Sequence, residues 1–249
     1  MSALSFLPVR DDGTPRLNVF IHGYGTIESA ASAERLAGRV RDAGLPGRSA
    51  LLFWQSGSWR APFAAPLLSI GARLARGRAL LGPAALATHT AMLAGLHAAS
   101  YLRGESRAER LGVTLPAYLR THAPDLDDLE IHLTGHSLGT RVIHHALLHG
   151  DWGRARIADI TLLAGAADLD EPSWQRGLER INGRIRNAWS RWDWALHITP
   201  DLRPRVGLAP LLPGHPRVDN REFSRFGHFD FWRNLGECMR AFDTAGAPA

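Results

Sequence analysis

The sequence predicts an α/β fold in which a mostly parallel sheet is covered by helices. Short apolar runs alternate with helical segments through the second half of the chain, and a glycine-rich turn joins one such strand directly to a helix. The chain has 249 residues, of which 45% are hydrophobic and 21% charged. These values are close to globular averages, so we expect residues 1–249 to form a single domain.

The first half begins with a strand and a glycine loop. Residues 17–21 have β-branched and aromatic character, and they stop at His22-Gly23-Tyr24-Gly25, which predicts a buried strand that ends in a glycine turn. Residues 28–43 carry helix-forming residues at helical spacing and are followed by a glycine and a proline, so a helix is expected there. Residues 50–54 predict the second strand.

Residues 57–125 predict a helical insertion or cap. Residues 79–102 contain no charged side chain, and no acidic residue occurs between Asp42 and Glu105, although arginines do. An interfacial membrane helix and an ordinary helical layer are the alternatives. A membrane span is not favoured, because His89, His97 and Pro83 lower the hydrophobicity of this segment.

The second half predicts alternating strands and helices, then a long loop and a closing helix. The expected strands are 129–133, 157–163 and 184–189, the expected helices are 137–149, 173–180 and 229–241, and the loop is 200–216.

The strongest functional signal is the turn that joins residues 129–133 to the next helix. Its sequence, Gly135-His136-Ser137-Leu138-Gly139, matches G-x-S-x-G and lies directly between a predicted strand and a predicted helix. Such a turn holds the serine in a strained conformation, and its glycines let the strand and helix pass closely. The position at a helix N-terminus favours developing negative charge. The motif therefore predicts an α/β-hydrolase fold with Ser137 as its nucleophile.

A serine hydroxyl needs a base within hydrogen-bond reach and a carboxylate that orients the base. In this fold the acid and then the histidine follow the serine along the chain. The candidate acids are Asp168 and Asp193; the candidate bases are His197, His215 and His228.

Local context favours Asp193 and His228. Asp193 follows a strand that ends at the predicted catalytic edge, whereas Asp168 lies in an acidic turn. His228 precedes the last helix in a loop from which an imidazole can reach the sheet edge. His215 lies in a Pro-Gly-His-Pro turn of structural character, and His197 follows Asp193 too closely.

The turn at residues 22–25 is the expected second half of an oxyanion hole. Hydrolases of this fold place one backbone N–H after an early strand and another directly after the nucleophile. The predicted pair is therefore the N–H groups of Tyr24 and Leu138. An ordinary strand-ending glycine turn is the alternative.

Three segments of the second half also resemble a known family. Residues 181–196, with Asn187, Ser190 and Asp193, then residues 206–208, then Gly227-His228, resemble the end of the transmembrane-and-coiled-coil-domain family of lipase-like serine hydrolases. The resemblance also takes in the His22-Gly23 loop and the Ser137 turn. It implies that Asp193 and His228 complete a catalytic triad with Ser137.

The remaining composition narrows the function classes. The single cysteine, Cys238, cannot form a disulfide within the chain, and residues 1–10 do not read as a secretion signal. We therefore expect a cytoplasmic protein that is able to associate with a membrane. No spacing suggests a metal or a nucleotide, so no cofactor is expected, and the basic residues form no nucleic-acid module.

The sequence as a whole predicts an enzyme that hydrolyses carboxylic esters. Its expected partner is a small ester or lipid substrate, because the segment 57–125 is long, apolar and basic. The alternatives are an acyltransferase or thioesterase on the same triad, and a catalytically silent protein of this fold that binds a membrane or a partner.

Overall fold

The computed structural model describes residues 4–24, 30–56 and 83–243. Its strands are β1 (Leu4–Arg10), β2 (Arg16–Ile21), β3 (Arg48–Trp54), β4 (Glu130–His136), β5 (Arg156–Leu163), β6 (Ile185–Trp189) and β7 (Val218–Glu222). Its helices are α1 (Ala30–Asp42), α2 (Pro83–His122), α3 (Leu138–His149), α4 (Glu171–Leu178), α5 (Trp194–His197), α6 (Asp230–Arg233) and α7 (Leu235–Asp243).

The strands form one seven-stranded sheet in the order β1-β3-β2-β4-β5-β6-β7. Strand β1 pairs antiparallel with β3, and all the other neighbours pair in parallel. Helices connect the parallel strands and cover the sheet. This strand order, with a single antiparallel edge strand and the serine turn after β4, is that of the α/β-hydrolase fold, so the predicted fold class is confirmed.

The two edge strands, β1 and β7, were missed by sequence reasoning. Strand β1 contains Pro8, and its register with β3 shifts between Pro8 and Arg10, features that occur at sheet edges. Strand β7 has the polar sequence VDNRE, and its first four residues are only half-buried. Neither strand carries the continuous apolar run that identifies a central parallel strand.

One predicted helix was also wrong, because the closing helix is divided at Asn234 into α6 and α7. Helix α2 runs without a break from Pro83 to His122 with Pro116 inside it. Leu115 and Leu119 on either side of Pro116 are fully buried, and this packing offsets the hydrogen bond that a proline removes.

The core lies on both faces of the sheet. One face packs against α2, α3 and α4, and the other packs against α1, α6 and α7. The α2 and α3 backbones are close together, since a Cβ atom added at Gly112 would lie 2.5 Å from the carbonyl oxygen of Val142.

The predicted insertion at 57–125 is described only in part. Residues 57–82 lie outside the described residues. The second half of α2, from Tyr101 onward, contributes buried side chains to the core beside α3. In the described ranges, no helix has the length and apolar character needed to cross a membrane. A cap role for the preceding residues stays a prediction.

The turn from β4 to α3 requires its glycines. A Cβ atom added at Gly139 would lie 2.1 Å from the carbonyl oxygen of Ile21, at the end of β2. At Gly135 it would lie 2.8 Å from the Gly139 carbonyl carbon and from the Thr140 nitrogen. These distances are far below van der Waals contact with atoms that have no freedom to move, so a side chain at either position would force the helix off the sheet.

We expect Gly139→Ala to lower the free energy of unfolding by about 3 kcal/mol or more, because the added methyl group overlaps backbone rather than a flexible side chain. Gly95→Ala is the matched control: Gly95 lies in α2, and in the described part of the chain no atom lies within 4 Å of an added Cβ. Helix propensity then predicts a gain of up to about 1 kcal/mol. Urea unfolding followed by circular dichroism measures both, and equal stability of the two variants would contradict this account.

Candidate active site

Ser137, His228 and Asp193 meet at the carboxyl end of the sheet. His228 Nε2 lies 2.9 Å from Ser137 Oγ, and His228 Nδ1 lies 2.7 Å from Asp193 Oδ2. The exposed fractions of the three residues are 4% for Ser137, 4% for His228 and 0% for Asp193. The structure thus brings together the serine, the base and the acid that the sequence favoured, in one continuous chain of hydrogen bonds.

Ser137 occupies a strained turn. Its backbone angles are φ 53° and ψ −123°, in a region that residues with a side chain rarely adopt. Hydrogen bonds hold the turn in this conformation. The Ser137 carbonyl oxygen accepts from the N–H groups of Thr140 and Ala166, both at 3.0 Å, and from Thr140 Oγ1 at 2.6 Å. The Ser137 N–H donates to the Leu163 carbonyl of β5 at 3.0 Å.

Asp193 caps the short helix α5. Its Oδ1 accepts from the N–H groups of Ala195 at 3.1 Å and Leu196 at 3.4 Å, which leaves Oδ2 directed at His228. Backbone amides therefore fix the carboxylate that orients the imidazole. Sequence reasoning missed α5, although an aspartate followed by Trp-Ala-Leu is a helix-start signal.

His136 supports the loop that carries His228, a role that the sequence did not reveal. The His136 Nε2–H donates to the His228 carbonyl oxygen at 2.8 Å, and the two rings lie 5.0 Å apart. His136 is 1% exposed, and burial lowers the pKa of His136 to about 3. The ring is therefore neutral and serves as a fixed donor. Its one available signal is its place beside Ser137 in the G-x-S-x-G motif.

The loop after β2 passes directly over Ser137. A Cβ atom added at Gly23 would lie 2.4 Å from Ser137 Cβ and 3.0 Å from Ser137 Oγ. His22 fixes this loop, because its Nδ1–H donates to the Gly23 carbonyl at 2.8 Å and its Nε2 accepts from the Trp54 N–H at 3.3 Å.

The predicted oxyanion donors, Tyr24 and Leu138, are chain neighbours of Gly23 and Ser137. Tyr24 follows Gly23, and its side chain is buried with its hydroxyl 2.7 Å from Ser100 Oγ. Leu138 is the first residue of α3, so its N–H has no acceptor within that helix. The role of these two amides stays a prediction, and Gly25 of the same turn lies outside the described residues.

Asp168, the other candidate acid, belongs to a separate buried charge cluster. Its carboxylate accepts from Arg141 at 3.0 and 3.3 Å and from Arg203 at 3.1 Å, and it also pairs with Arg205. The neighbouring guanidinium groups hold the pKa of Asp168 below its usual range, against the effect of burial. This carboxylate is committed to structural ion pairs and not to a histidine.

Arg205 is the centre of that cluster. It is fully buried, and its Nη2 donates to Glu105 of α2 at 2.9 Å and to Asp201 at 2.6 Å. Burial raises the pKa of Glu105. The cluster joins α2 to the loop that follows α5.

The other two candidate bases are occupied elsewhere. His197 is exposed, and its Nε2 lies 2.8 Å from the Arg191 carbonyl oxygen. His215 is half-buried, and its Nδ1 accepts from the Arg217 N–H at 3.1 Å within its own turn. Neither contacts Ser137. Across residues 4–24, 30–56 and 83–243, no three histidine, cysteine or acidic side chains are grouped so as to hold a metal ion.

Comparison with known proteins gives distant likenesses. No family model matches the chain. It is 27% identical over 158 residues to an uncharacterized membrane protein of Caenorhabditis elegans, a match that covers 57% of this chain and 24% of that protein. The chain thus spans less than a third of that relative, and the resemblance to the transmembrane-and-coiled-coil-domain family stays a prediction.

Among solved structures, the chain is similar to a dienelactone hydrolase from Anabaena variabilis, with 15% identity, 97% of this chain and 88% of that chain covered, and a TM-score of 0.43. It is also similar to the carboxylesterase CesB from Bacillus subtilis, with 11% identity, 98% and 88% covered, and a TM-score of 0.46. The strand order and the geometry of the serine turn identify the α/β-hydrolase fold independently of these distant likenesses.

The buried histidines predict acid sensitivity. Burial lowers the pKa of His22 to about 4 and that of His136 to about 3, against 6.5 for a free histidine. Below the free value the unfolded chain binds protons that the folded chain excludes, so stability falls as the pH falls. At about pH 5 each of the two histidines should lower the free energy of unfolding by about 2 kcal/mol relative to neutral pH.

Urea unfolding across that pH range measures this loss. His136→Gln is the control, because its amide can still donate to the His228 carbonyl but does not titrate. In this variant the loss in free energy of unfolding should be smaller by about half of the loss that His22 and His136 cause together. The raised pKa of Glu105 works in the opposite direction and offsets part of the effect. A free energy of unfolding that stays constant down to about pH 5 would contradict the lowered pKa values of His22 and His136.

Proposed function

We propose that this chain is a serine hydrolase of carboxylic esters, with Ser137 as nucleophile, His228 as base and Asp193 as the residue that orients the base. The observation that carries the proposal is the unbroken sequence of contacts from Ser137 Oγ through His228 to Asp193, at 2.9 and 2.7 Å. It occurs at a strained strand-to-helix turn, where a nucleophilic serine is expected in this fold.

The proposed reaction has two halves. His228 Nε2 takes the proton of Ser137 as its oxygen attacks the ester carbonyl, and the N–H groups of Tyr24 and Leu138 stabilise the resulting oxyanion. His228 then protonates the leaving alcohol, and an acyl-serine remains. Water then attacks the acyl carbonyl while His228 takes its proton, and His228 returns that proton to Ser137 Oγ as the acid leaves. Asp193 holds the imidazole in the tautomer that both halves require.

The contacts around Ser137 support this reaction over the alternative of a catalytically silent binding protein. At Gly23 the β2 loop comes so close to Ser137 that only glycine fits, and the Ser137 carbonyl is held by three hydrogen bonds. A protein that only binds partners through this fold has no need of a strained serine aimed at a histidine. An acyltransferase or thioesterase would use the same groups and differs only in the acceptor or the leaving group.

The proposal extends to a lipid or other hydrophobic acyl substrate, and to membership of the family that the sequence resembles. Support for the substrate is the apolar and basic composition of residues 57–125. Hydrolysis of esters of graded chain length, phospholipids included, tests it with Ser137→Ala as the blank. A rate that is highest for the shortest acyl chain would contradict the extension.

The first test concerns the nucleophile. Ser137→Ala should abolish covalent labelling by a fluorophosphonate probe and should lower ester turnover by roughly three or more orders of magnitude. Circular dichroism of the variant checks that the fold is kept. Labelling that persists in the variant would place the nucleophile elsewhere, and a wild-type protein that is never labelled would favour the silent alternative.

The second test separates the two candidate acids. Asp193→Asn should lower kcat by about 10³- to 10⁴-fold, because the amide no longer fixes the His228 tautomer. Asp168→Asn is the matched control: it alters ion pairs with Arg141 and Arg203 and should change stability more than kcat. Unfolding midpoints accompany the kinetics, so that a loss of fold is not mistaken for a loss of chemistry. Equal losses of kcat in two folded variants would refute the assignment.

A further inference from the structure

The segment that follows β6 exposes four large apolar side chains. The exposed fractions are 69% for Trp192, 54% for Trp194, 54% for Ile198 and 80% for Leu202. Single exposed apolar residues are ordinary, but a group of them in one short segment marks an interaction surface. We call residues 191–203 the tryptophan loop.

This loop is built around the candidate catalytic acid. Asp193 is fully buried and bonded to His228, while the residues on both sides of it, Trp192 and Trp194, are more than half exposed. Ile198 follows Trp194 by four positions at the end of α5, so these two side chains lie on the same side of that turn. The exposed tryptophans thus flank, in the sequence, the carboxylate that bonds His228.

A backbone hydrogen bond and a buried ion pair hold the end of the loop in place. Leu202 has a positive φ of 51°, a strained conformation for a leucine that needs support from its neighbours. That support comes from both sides. The Leu202 N–H donates to the Thr199 carbonyl at 3.1 Å, and the adjacent Asp201 is bound to the buried Arg205 at 2.6 Å. A rigid backbone thus presents the most exposed leucine of the loop.

Two arginines flank the apolar side chains of the loop. The Arg191 side chain is 59% exposed and pairs with Glu222, whose side chain is 26% exposed. The Arg203 side chain is 56% exposed and pairs with Asp168 and Asp201, whose side chains are 27% and 13% exposed. In each pair the arginine side chain is the more exposed member, so both guanidinium groups are accessible to an anionic surface.

We propose that the tryptophan loop docks on an anionic phospholipid bilayer. Trp192, Trp194, Ile198 and Leu202 enter the interface, where indole rings are favoured, and Arg191 and Arg203 face the headgroups. The loop that docks also carries Asp193, the carboxylate that is bonded to His228. The proposal rests on exposure and charge and does not require the ester chemistry, so it stands or fails separately from the proposed function.

Co-sedimentation with phosphatidylcholine vesicles that contain about 30% phosphatidylserine tests the proposal. The wild-type protein should bind, and Trp192→Ser/Trp194→Ser should weaken binding by about tenfold or more, because the indole area no longer leaves water. Val113→Ser is the matched control, since Val113 is 46% exposed on α2 outside the loop, and it should bind as the wild type does. Unfolding midpoints confirm that each variant is folded.

The basic side chains give a second readout. Arg191→Gln/Arg203→Gln should weaken binding by about fivefold for each charge at low salt. The difference from wild type should disappear at about 1 M salt, where screening removes the electrostatic attraction. Vesicles of phosphatidylcholine alone should bind the wild type weakly.

Quenching by lipids brominated in their acyl chains shows which residues enter the bilayer. The wild-type fluorescence should be quenched on binding, whereas Trp192→Phe/Trp194→Phe should still bind but lose most of the quenching. The proposal is overturned if the wild type does not sediment, or if the serine pair binds as tightly as wild type. It is also overturned if light scattering shows a dimer that the serine pair dissociates, which assigns the surface to a second copy of the chain.

Discussion

The geometry of the site depends on how closely the first turn of α3 approaches the ends of β2 and β4. At Gly139 a side chain would meet the Ile21 carbonyl, and at Gly23 it would meet Ser137 itself. Because glycines occupy these positions, the helix can begin directly above the sheet edge, with its N-terminus close to Ser137. The strain at Ser137 is sustained by this packing and by the bonds to its carbonyl, and not by the serine's own preference.

Histidines serve two different purposes around this turn. His22 and His136 are kept neutral by burial, and each donates to a backbone carbonyl that fixes a loop of the site. His228 differs because it lies between a carboxylate and a hydroxyl, the setting in which an imidazole can move a proton. The same residue type thus forms the framework and the proposed proton carrier, and its surroundings decide which.

The sequence predicted the parts of the site that are encoded locally or by chain order. The Ser137 turn is a contiguous motif, and Asp193 and His228 follow it in the order that the fold requires. The fold class followed from the alternation of apolar runs. The polar edge strand β7 escaped prediction because half-buried edge strands lack an apolar run, and the His136 contact escaped because it joins residues 92 positions apart. Patterns within a window cannot report such pairings.

The Arg205 cluster has a consequence for how the chain folds. Arg205 and Glu105 are 100 residues apart in the sequence, and a buried guanidinium without its carboxylates is unfavourable by several kcal/mol. Arg205 can therefore be buried only after α2, the turn at Asp168 and the loop at Asp201 have packed around it. We expect a contact that needs three separate segments in place to form after the folding barrier. Weakening this cluster would then speed unfolding and leave the refolding rate nearly unchanged, so the cluster governs how long the folded protein lasts.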